Sequence, residues 1–308
     1  MEGILCLFPG QGSQHPGMGL ELARAFPEAR SVFEEADRAL EFDLSRRCFE
    51  GPEEELRLTA ITQPAILTVS VAAWRVLAAR GLEPALVAGH SLGEYAANVA
   101  AGSLAFADAV RTVHLRGRWM QEAVPEGEGA MAALLGLDPD ATGIVCEEAA
   151  AGEVVSPANF NAPGQIVIAG HAAAVERAMA LALDRGASRA VPLPVSAPFH
   201  CALMRPAEEK LAAHLSGLRF GDPSCPIITN VDAAPTTGAE ALRRALMRQV
   251  TAPVRWDESM AGLAGRGIRR ALEVGPGKVL TGLLRRIDRS IRCLPVGDPA
   301  GVEKALET

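Results

Sequence analysis

The stretch Val87-Ala88-Gly89-His90-Ser91-Leu92-Gly93-Glu94-Tyr95 contains the pattern Gly-x-Ser-x-Gly. The apolar run at its start, residues 85–88, is typical of a buried strand, and the Ala-rich residues after it favour a helix with an acid in the first turn. A serine on so sharp a turn needs neighbours without side chains, and Gly89 and Gly93 provide them. A strand, a tight turn and a helix in this order predict a nucleophile elbow.

The same pattern also fits a turn without a catalytic role, in which the glycines only allow the strand and the helix to pack closely. If Ser91 is a nucleophile, free backbone N–H groups at the start of the following helix could stabilise an oxyanion beside it. We favour the nucleophile because the strand and helix signals fall on the sides that an elbow requires.

Composition is that of an ordinary globular protein. The 308 residues suffice for about two domains, or for one large domain with an insertion. Hydrophobic residues make up 49% and charged residues 22%, which supports a large core. Lys and Arg number 30 against 37 Asp and Glu, a net charge of −7, and this balance argues against a general nucleic-acid-binding protein.

Neither a metal site nor a membrane segment is predicted. The six cysteines form no Cys-x-x-Cys pair and no Cys/His metal spacing, so we expect buried thiols in a reducing compartment. No basic stretch followed by a long apolar one begins the sequence. A buried helix is predicted over residues 65–79, opened by Thr62-Gln63-Pro64, and its apolar run is too short to span a bilayer. We expect a cytoplasmic protein.

Two further segments frame the predicted core. Residues 3–8 predict a central strand that ends in the turn-forming loop Pro9-Gly10-Gln11-Gly12-Ser13-Gln14. Ligands of open α/β sheets bind at such strand ends, although a simple turn explains the loop equally well. Residues 126–196 predict strands and helices in the order βαββαβ, which is the ferredoxin-like pattern. The predicted fold is an α/β core with a parallel sheet, residues 1–125 and 197–308, that carries this subdomain at 126–196.

Two further candidate functional residues, His200 and Arg116, lie outside the elbow motif. His200 ends the segment Ala197-Pro198-Phe199-His200, and a lone histidine is more often structural than catalytic, so the residues alone leave both roles open. Arg116 lies on a helix predicted over residues 106–124, where an arginine is ordinarily a solvated surface residue.

Taken together, these stretches resemble the malonyl-CoA:acyl carrier protein transacylase family of fatty acid synthesis. The matching motifs run in order along the whole chain: Phe8-Pro9-Gly10-Gln11-Gly12-Ser13-Gln14, Gly89-His90-Ser91-Leu92-Gly93-Glu94-Tyr95, Leu115-Arg116-Gly117 with Met120-Gln121, Asn159-Phe160-Asn161 with Pro163-Gly164-Gln165, Pro198-Phe199-His200, Gln249-Val250 with Pro253-Val254-Arg255-Trp256, and Glu273-Val274-Gly275-Pro276-Gly277. The resemblance implies an α/β-hydrolase-like core with a ferredoxin-like insert.

The resemblance also implies acyl transfer through an ester on Ser91. His200 would take the serine proton, return it to the leaving thiol and then activate the phosphopantetheine thiol of the carrier protein. The family uses this Ser–His pair without a carboxylate, and a backbone carbonyl near Gln249 orients the histidine. The oxyanion hole would consist of the backbone N–H groups of Gln11 and Leu92, each worth about 3 kcal/mol.

The resemblance assigns substrate choice to Arg116, whose guanidinium would bind the malonyl carboxylate through two hydrogen bonds. Acetyl-CoA would leave that buried charge unpaired. Gln249 and Asn159 match positions at the edge of the family's pocket. Phe199 and Leu92 match the malonyl-selective pattern, and Phe199 should exclude an α-methyl group with a discrimination of about 1–3 kcal/mol.

The implied second substrate is an acidic acyl carrier protein. Arg285 and Arg286 belong to a basic C-terminal region, which is either a solvated face or a surface that speeds docking of the carrier protein. The implied small substrate is malonyl-CoA, which is released as CoA, with no bound cofactor. Members of the family often act as monomers, so we expect a monomer that binds neither nucleic acid nor membrane.

Three other functions fit part of the sequence. A trans-acting acyltransferase of a polyketide synthase would have nearly the same motifs. A serine hydrolase or thioesterase acting on acyl carrier proteins would share Ser91 and His200 but would have no use for Arg116. A catalytically silent carrier-protein scaffold would need none of the three.

Overall fold

The structure is a computed structural model that describes residues 3–195 and 197–307. Its strands are β1 Gly3–Phe8, β2 Leu86–Gly89, β3 Gly129–Leu135, β4 Val155–Ala162, β5 Gln165–His171, β6 Arg189–Pro192, β7 Ile227–Ile228, β8 Pro235–Thr236, β9 Val254–Arg255, β10 Ile268–Val274 and β11 Arg292–Val296. Its α-helices are α1 Leu20–Ala25, α2 Pro27–Leu40, α3 Leu44–Glu50, α4 Glu53–Arg57, α5 Thr59–Ala79, α6 Gly93–Ala100, α7 Phe106–Glu122, α8 Pro139–Ala150, α9 Ala172–Asp184, α10 Arg205–Ser216, α11 Ala239–Arg248, α12 Trp256–Met260, α13 Val279–Ile287 and α14 Pro299–Leu306.

The larger sheet has the strand order β11-β10-β1-β2-β7-β8. All its neighbours pair in parallel except β7 and β8. The predicted central strand β1 lies between β10 and β2, and its last four residues are fully buried. Because β1, β2 and β7 run the same way, the residues that follow them meet at one edge of the sheet. This arrangement confirms the predicted α/β core.

The smaller sheet confirms the predicted βαββαβ subdomain. Its strands β6-β3-β5-β4 are antiparallel, and α8 and α9 pack on them around a hydrophobic core of their own. One strand of this smaller sheet was not predicted: β9, from the C-terminal part of the chain, pairs in parallel with β4 and extends the sheet. The boundaries at residues 126 and 196 stay a prediction, and Ser196, like residues 1, 2 and 308, lies outside the described residues.

The predicted start of the long apolar helix is wrong. Helix α5 begins at Thr59, and Pro64 lies inside it rather than before it. Proline has no N–H, so it leaves the carbonyl four residues earlier, that of Ala60, without its helical donor. The ring nitrogen Nδ1 of His114 on α7 donates to that carbonyl at 2.7 Å. A tertiary contact therefore replaces the bond that Pro64 cannot make.

Because helix α5 is longer than the predicted apolar run, its 21 residues are, contrary to the prediction, long and apolar enough to span a membrane. Within the described ranges it is the one helix with this property, and 83% of its most apolar window is buried in the fold. Such burial is typical of the central helix of a globular core, where every face of the helix packs against protein.

Candidate active site

Ser91 lies on a strained turn between β2 and α6. Its φ angle is 51°, in the left-handed region that a side chain rarely adopts. A Cβ atom on Gly89 would lie 1.9 Å from the carbonyl carbon of Gly93, and one on Gly93 would lie 2.1 Å from the oxygen of Phe8. Both glycines are therefore required by contacts with backbone that cannot move aside.

Asn230 holds this turn from the neighbouring strand. Its Oδ1 accepts a hydrogen bond from the N–H of Ser91 at 2.7 Å, and its Nδ2 donates to the oxygen of Gly89 at 2.7 Å. The residue follows β7 and is buried. Sequence reasoning missed it, since the one available signal was a polar residue at the end of a short apolar run.

His200 faces the serine hydroxyl. Its Nε2 lies 2.7 Å from Ser91 Oγ, while its Nδ1 lies 2.9 Å from the carbonyl of Gln249 and 3.2 Å from that of Ala252. Carbonyl oxygens only accept, so Nδ1 carries the proton and the lone pair of Nε2 points at the hydroxyl. Burial, and next the charge of Arg116, lower the pKa of His200 to about 3. The imidazole is thus neutral at pH 7, as a base must be.

Arg116 is almost wholly buried, at 2% exposure. Its Nη1 donates to the side-chain oxygen of Gln63 at 2.8 Å, and its Nη2 donates to that of Gln249 at 3.0 Å and to Ser91 Oγ at 3.3 Å. Its Nε has no partner among the described residues. Burial lowers the pKa of the guanidinium, but arginine stays charged in proteins. Neutral amides therefore fix this cation without neutralising it.

The loop after β1 packs directly against the elbow. A Cβ atom on Gly10 would lie 2.6 Å from the oxygen of His90. Among the described residues, neither the backbone N–H of Gln11 nor that of Leu92 has an acceptor. Two unpaired donors thus belong to the two segments that meet beside Ser91. An oxyanion hole requires such donors, and this role of the two N–H groups stays a prediction.

The chain is similar over nearly its whole length to known acyl transferases. A family model described as an acyl transferase domain matches residues 6–297. The malonyl CoA-acyl carrier protein transacylase of Escherichia coli K12 is 53% identical over 302 residues, 98% of each chain. The protein of the same name from Bacillus subtilis is 49% identical over 312 residues, 100% of this chain and 98% of its own. The chain belongs to the malonyl CoA-acyl carrier protein transacylase family.

Solved structures of this transacylase family have the same fold. The family member from Coxiella burnetii superposes with a TM-score of 0.97 at 45% identity and covers 99% of this chain and 97% of its own. A malonyl-transacylase in complex with its type II polyketide synthase acyl carrier protein gives 0.96 at 51% identity, with 99% of both chains covered.

Two predicted pocket residues lie outside the hydrogen-bond network of Ser91. Asn159 on β4 is buried, and among the described residues no hydrogen bond joins its side chain to Ser91, His200 or Arg116. The residue two places on, Asn161, makes the contact with the elbow instead, since its Oδ1 lies 2.8 Å from Nε2 of His90.

The other predicted pocket residue, Phe199, precedes His200 and packs in the main hydrophobic core. Its side chain is buried, so it is an apolar neighbour of His200 in the packed interior rather than a surface loop residue. Its effect on acyl-group size stays a prediction.

The predicted docking arginines lie on α13. Arg285 and Arg286 are exposed, and Nη1 of Arg286 donates to the side-chain oxygen of Gln165 at 2.7 Å. This contact joins the core to the first residue of β5 in the inserted subdomain. Docking of a carrier protein here stays a prediction.

Glu94 belongs to the hydrogen-bond network of the site, although the sequence did not predict a role for it there. Its carboxylate is fully buried, and its Oε2 accepts from Gln249 Nε2 at 2.8 Å and from the N–H of Asn230 at 3.0 Å. Burial raises the pKa of Glu94 to about 7. An acid at the start of an otherwise apolar helix was visible in the sequence, but it was read only as a favourable end charge.

Proposed function

We propose that this protein transfers the malonyl group of malonyl-CoA to the phosphopantetheine thiol of an acyl carrier protein through an ester on Ser91. The proposal is carried by the position of Ser91 Oγ, which lies 2.7 Å from His200 Nε2 and 3.3 Å from Arg116 Nη2. A nucleophile, a base and a carboxylate-binding group therefore share one buried site. The names of the relatives supply the substrate and the partner.

In the first half-reaction, His200 Nε2 accepts the serine proton while Ser91 Oγ attacks the thioester carbonyl. The negative oxygen of the tetrahedral intermediate is stabilised by the backbone N–H groups of Gln11 and Leu92. When the C–S bond breaks, His200 returns the proton to the CoA sulfur, which leaves as the thiol. The second half-reaction runs these steps backwards, with the phosphopantetheine thiol as the nucleophile.

Arg116 is proposed to make the enzyme select a malonyl group rather than an acetyl group. Gln63 and Gln249 hold the guanidinium from two sides, and its Nε–H has no partner among the described residues. A carboxylate at the far end of the acyl group would meet a fixed, charged donor set in a site that excludes water. Gln249, Asn159 and Phe199 are proposed to shape the edge of this pocket.

Loading with radiolabelled malonyl-CoA tests the proposed function. We expect one stable label per chain, transfer of that label to holo-carrier protein, and no transfer to apo-carrier protein, which lacks the thiol. Ser91→Ala should abolish labelling, because within the described part of the chain the hydroxyl that faces His200 Nε2 is that of Ser91. Rapid loss of label to water would indicate a hydrolase, and absence of label on the folded wild-type protein would indicate a scaffold.

A polyketide synthase carrier protein is the second candidate partner. It is favoured by the complex of a 51% identical malonyl-transacylase with a type II polyketide synthase carrier protein. A comparison of kcat/KM on a fatty-acid-type and a polyketide-type holo-carrier would separate the two partners. A ratio near one would mean that this protein does not discriminate between them.

We further propose that the enzyme uses no bound cofactor, because Ser91, His200 and Arg116 together supply the chemistry that acyl transfer requires. We also propose that it is a cytoplasmic monomer. Gel filtration of the active protein tests the oligomeric state.

A further inference from the structure

We propose that Glu94 takes up one proton when a malonyl group enters the site, so that the buried charges of the pocket remain balanced. This inference rests on the proposed function and concerns a residue that touches neither the acyl group nor the reacting atoms. It assigns Glu94 as a residue that tunes malonyl specificity through its partners.

A single amide connects Glu94 to Arg116. Gln249 donates from Nε2 to the Glu94 carboxylate at 2.8 Å and accepts at Oε1 from Arg116 Nη2 at 3.0 Å. Its Nε2 also donates to the oxygen of Ser91 at 2.9 Å. A flipped amide would set its oxygen against two acceptors and its NH₂ against a guanidinium donor, so the orientation shown is the one that satisfies all three contacts.

The charges around this relay balance when the pocket is empty. At a pH above the pKa of Glu94, Arg116 contributes one positive charge and Glu94 one negative charge, while His200 is neutral. The Tyr95 hydroxyl, beside Glu94 on α6, is also neutral, because burial raises its pKa. Among the described residues the other buried acid is Glu273, which is bound by backbone N–H groups at the start of α13.

The remaining charged neighbours of Glu94 pair with each other. Asp232 follows β7 and Arg248 ends α11, and both influence Glu94 or are influenced by it. Their side chains form a separate ion pair at 2.7 Å in which both partners are roughly half exposed. Solvent therefore screens this pair, and Arg248 offers Glu94 no full counter-charge.

A malonyl carboxylate on Arg116 would upset the balance. The buried site would then hold two negative charges against one positive charge, and an unpaired buried charge is strongly disfavoured. The malonyl carboxylate is held ionised by its contact with Arg116. Glu94 is the group closest to titration, since burial has raised its pKa to about 7. Its Oε1 is buried without a partner and can receive the proton.

Malonyl binding and protonation of Glu94 affect each other reciprocally, because the two equilibria are thermodynamically linked. If malonyl binding favours protonated Glu94, protonated Glu94 favours malonyl binding to the same extent. The KM for malonyl-CoA should therefore rise as the pH rises through the pKa of Glu94 in the empty enzyme. An acetyl group brings no charge, so its binding should not depend on the protonation of Glu94.

Proton uptake during acyl-enzyme formation tests the inference. Enzyme and malonyl-CoA are mixed in stoichiometric amounts at pH 7.5 in weak buffer with an indicator dye, and intact mass gives the fraction of malonyl-enzyme. Loading itself moves the serine proton to CoA and releases none. We expect more than about half a proton taken up per malonyl-enzyme, and none on loading with acetyl-CoA to the same fraction or on loading Glu94→Gln with malonyl-CoA.

The outcomes separate the two proposals. Failure of the wild type to form malonyl-enzyme would contradict the proposed function, whereas malonyl-enzyme formed without proton uptake would overturn the role of Glu94 alone. Uptake that persists in Glu94→Gln would also overturn it. If Glu94→Gln does not fold, the wild-type KM series decides. Between pH 6.5 and 8.5, KM should rise about tenfold for malonyl-CoA and less than about twofold for acetyl-CoA, and parallel curves would overturn the inference.

Discussion

Arg116 and Arg286 have the same kind of partner in opposite surroundings. Each donates to the side-chain oxygen of a glutamine, Gln249 in one case and Gln165 in the other. Arg116 is 2% exposed, whereas Arg286 lies on the surface of α13 beside Arg285. In the buried site a charge cannot be screened by water, so every neighbouring charge counts, while on the surface salt and solvent weaken each interaction.

The difference suggests two roles for arginine in one enzyme. A buried guanidinium held by amides can discriminate between acyl groups, because an absent carboxylate leaves it unpaired. Exposed guanidinium groups act at longer range and chiefly change how fast an acidic partner arrives. Three predictions, each with a matched control, test this comparison between the buried site and the surface of α13.

Removing the buried guanidinium should have the largest effect. Arg116→Ala should lower kcat/KM for malonyl-CoA by roughly 30-fold to 5,000-fold, because truncation of a buried charge partner costs about 2–5 kcal/mol. Transfer of acetyl groups should fall much less, so the malonyl-to-acetyl ratio should collapse. Arg286→Ala is the matched control and should leave that ratio unchanged. Equal losses on both acyl-CoA substrates in Arg116→Ala would remove the carboxylate-binding role.

A methyl group added at Gly93 in the elbow should lower the stability of the protein, an effect of intermediate size. In Gly93→Ala the new Cβ would lie 2.1 Å from the backbone oxygen of Phe8, and such overpacking typically costs about 1–3 kcal/mol of unfolding free energy. Urea denaturation measures this loss, and acyl-enzyme formation should fall with it.

The control for that substitution lies on α13. At Gly282 an added Cβ meets nothing within 4 Å, so Gly282→Ala should stabilise the protein by about 0.5–1 kcal/mol through its higher helix propensity. If both variants had the same stability as the wild type, steric crowding would not explain the glycines of the elbow.

Charge reversal on α13 should have the smallest effect. Arg285→Glu with Arg286→Glu should raise the KM for holo-carrier protein several-fold at low ionic strength and leave the KM for malonyl-CoA unchanged. Arg24→Glu with Arg38→Glu, at exposed positions on α1 and α2, makes the same change in net charge. A similar rise in both double variants would mean that overall charge, not a docking surface, governs the partner.

The sequence predicted the fold well where its signals are local. The limits of β1 agree with the prediction, and the order of strands and helices in the inserted subdomain is confirmed. Apolar runs and turn residues report backbone conformation directly, because burial and local sterics act on neighbours along the chain. The start of helix α5 was predicted wrongly, because the hydrogen bond that compensates for Pro64 comes from His114 on another helix.

What the sequence by itself determined is the family and the set of candidate reactive groups: the serine between its glycines, a histidine after Phe199 and an arginine on a helix. Only the tertiary structure decided how these groups are held and charged. Asn230, Gln63 and Glu94 are distant from their partners in sequence or carry no motif of their own, yet they supply hydrogen bonds and a counter-charge in the buried site. The physical reason is that electrostatics in a protein depends on distance through space and on exclusion of water, and neither is written along the chain.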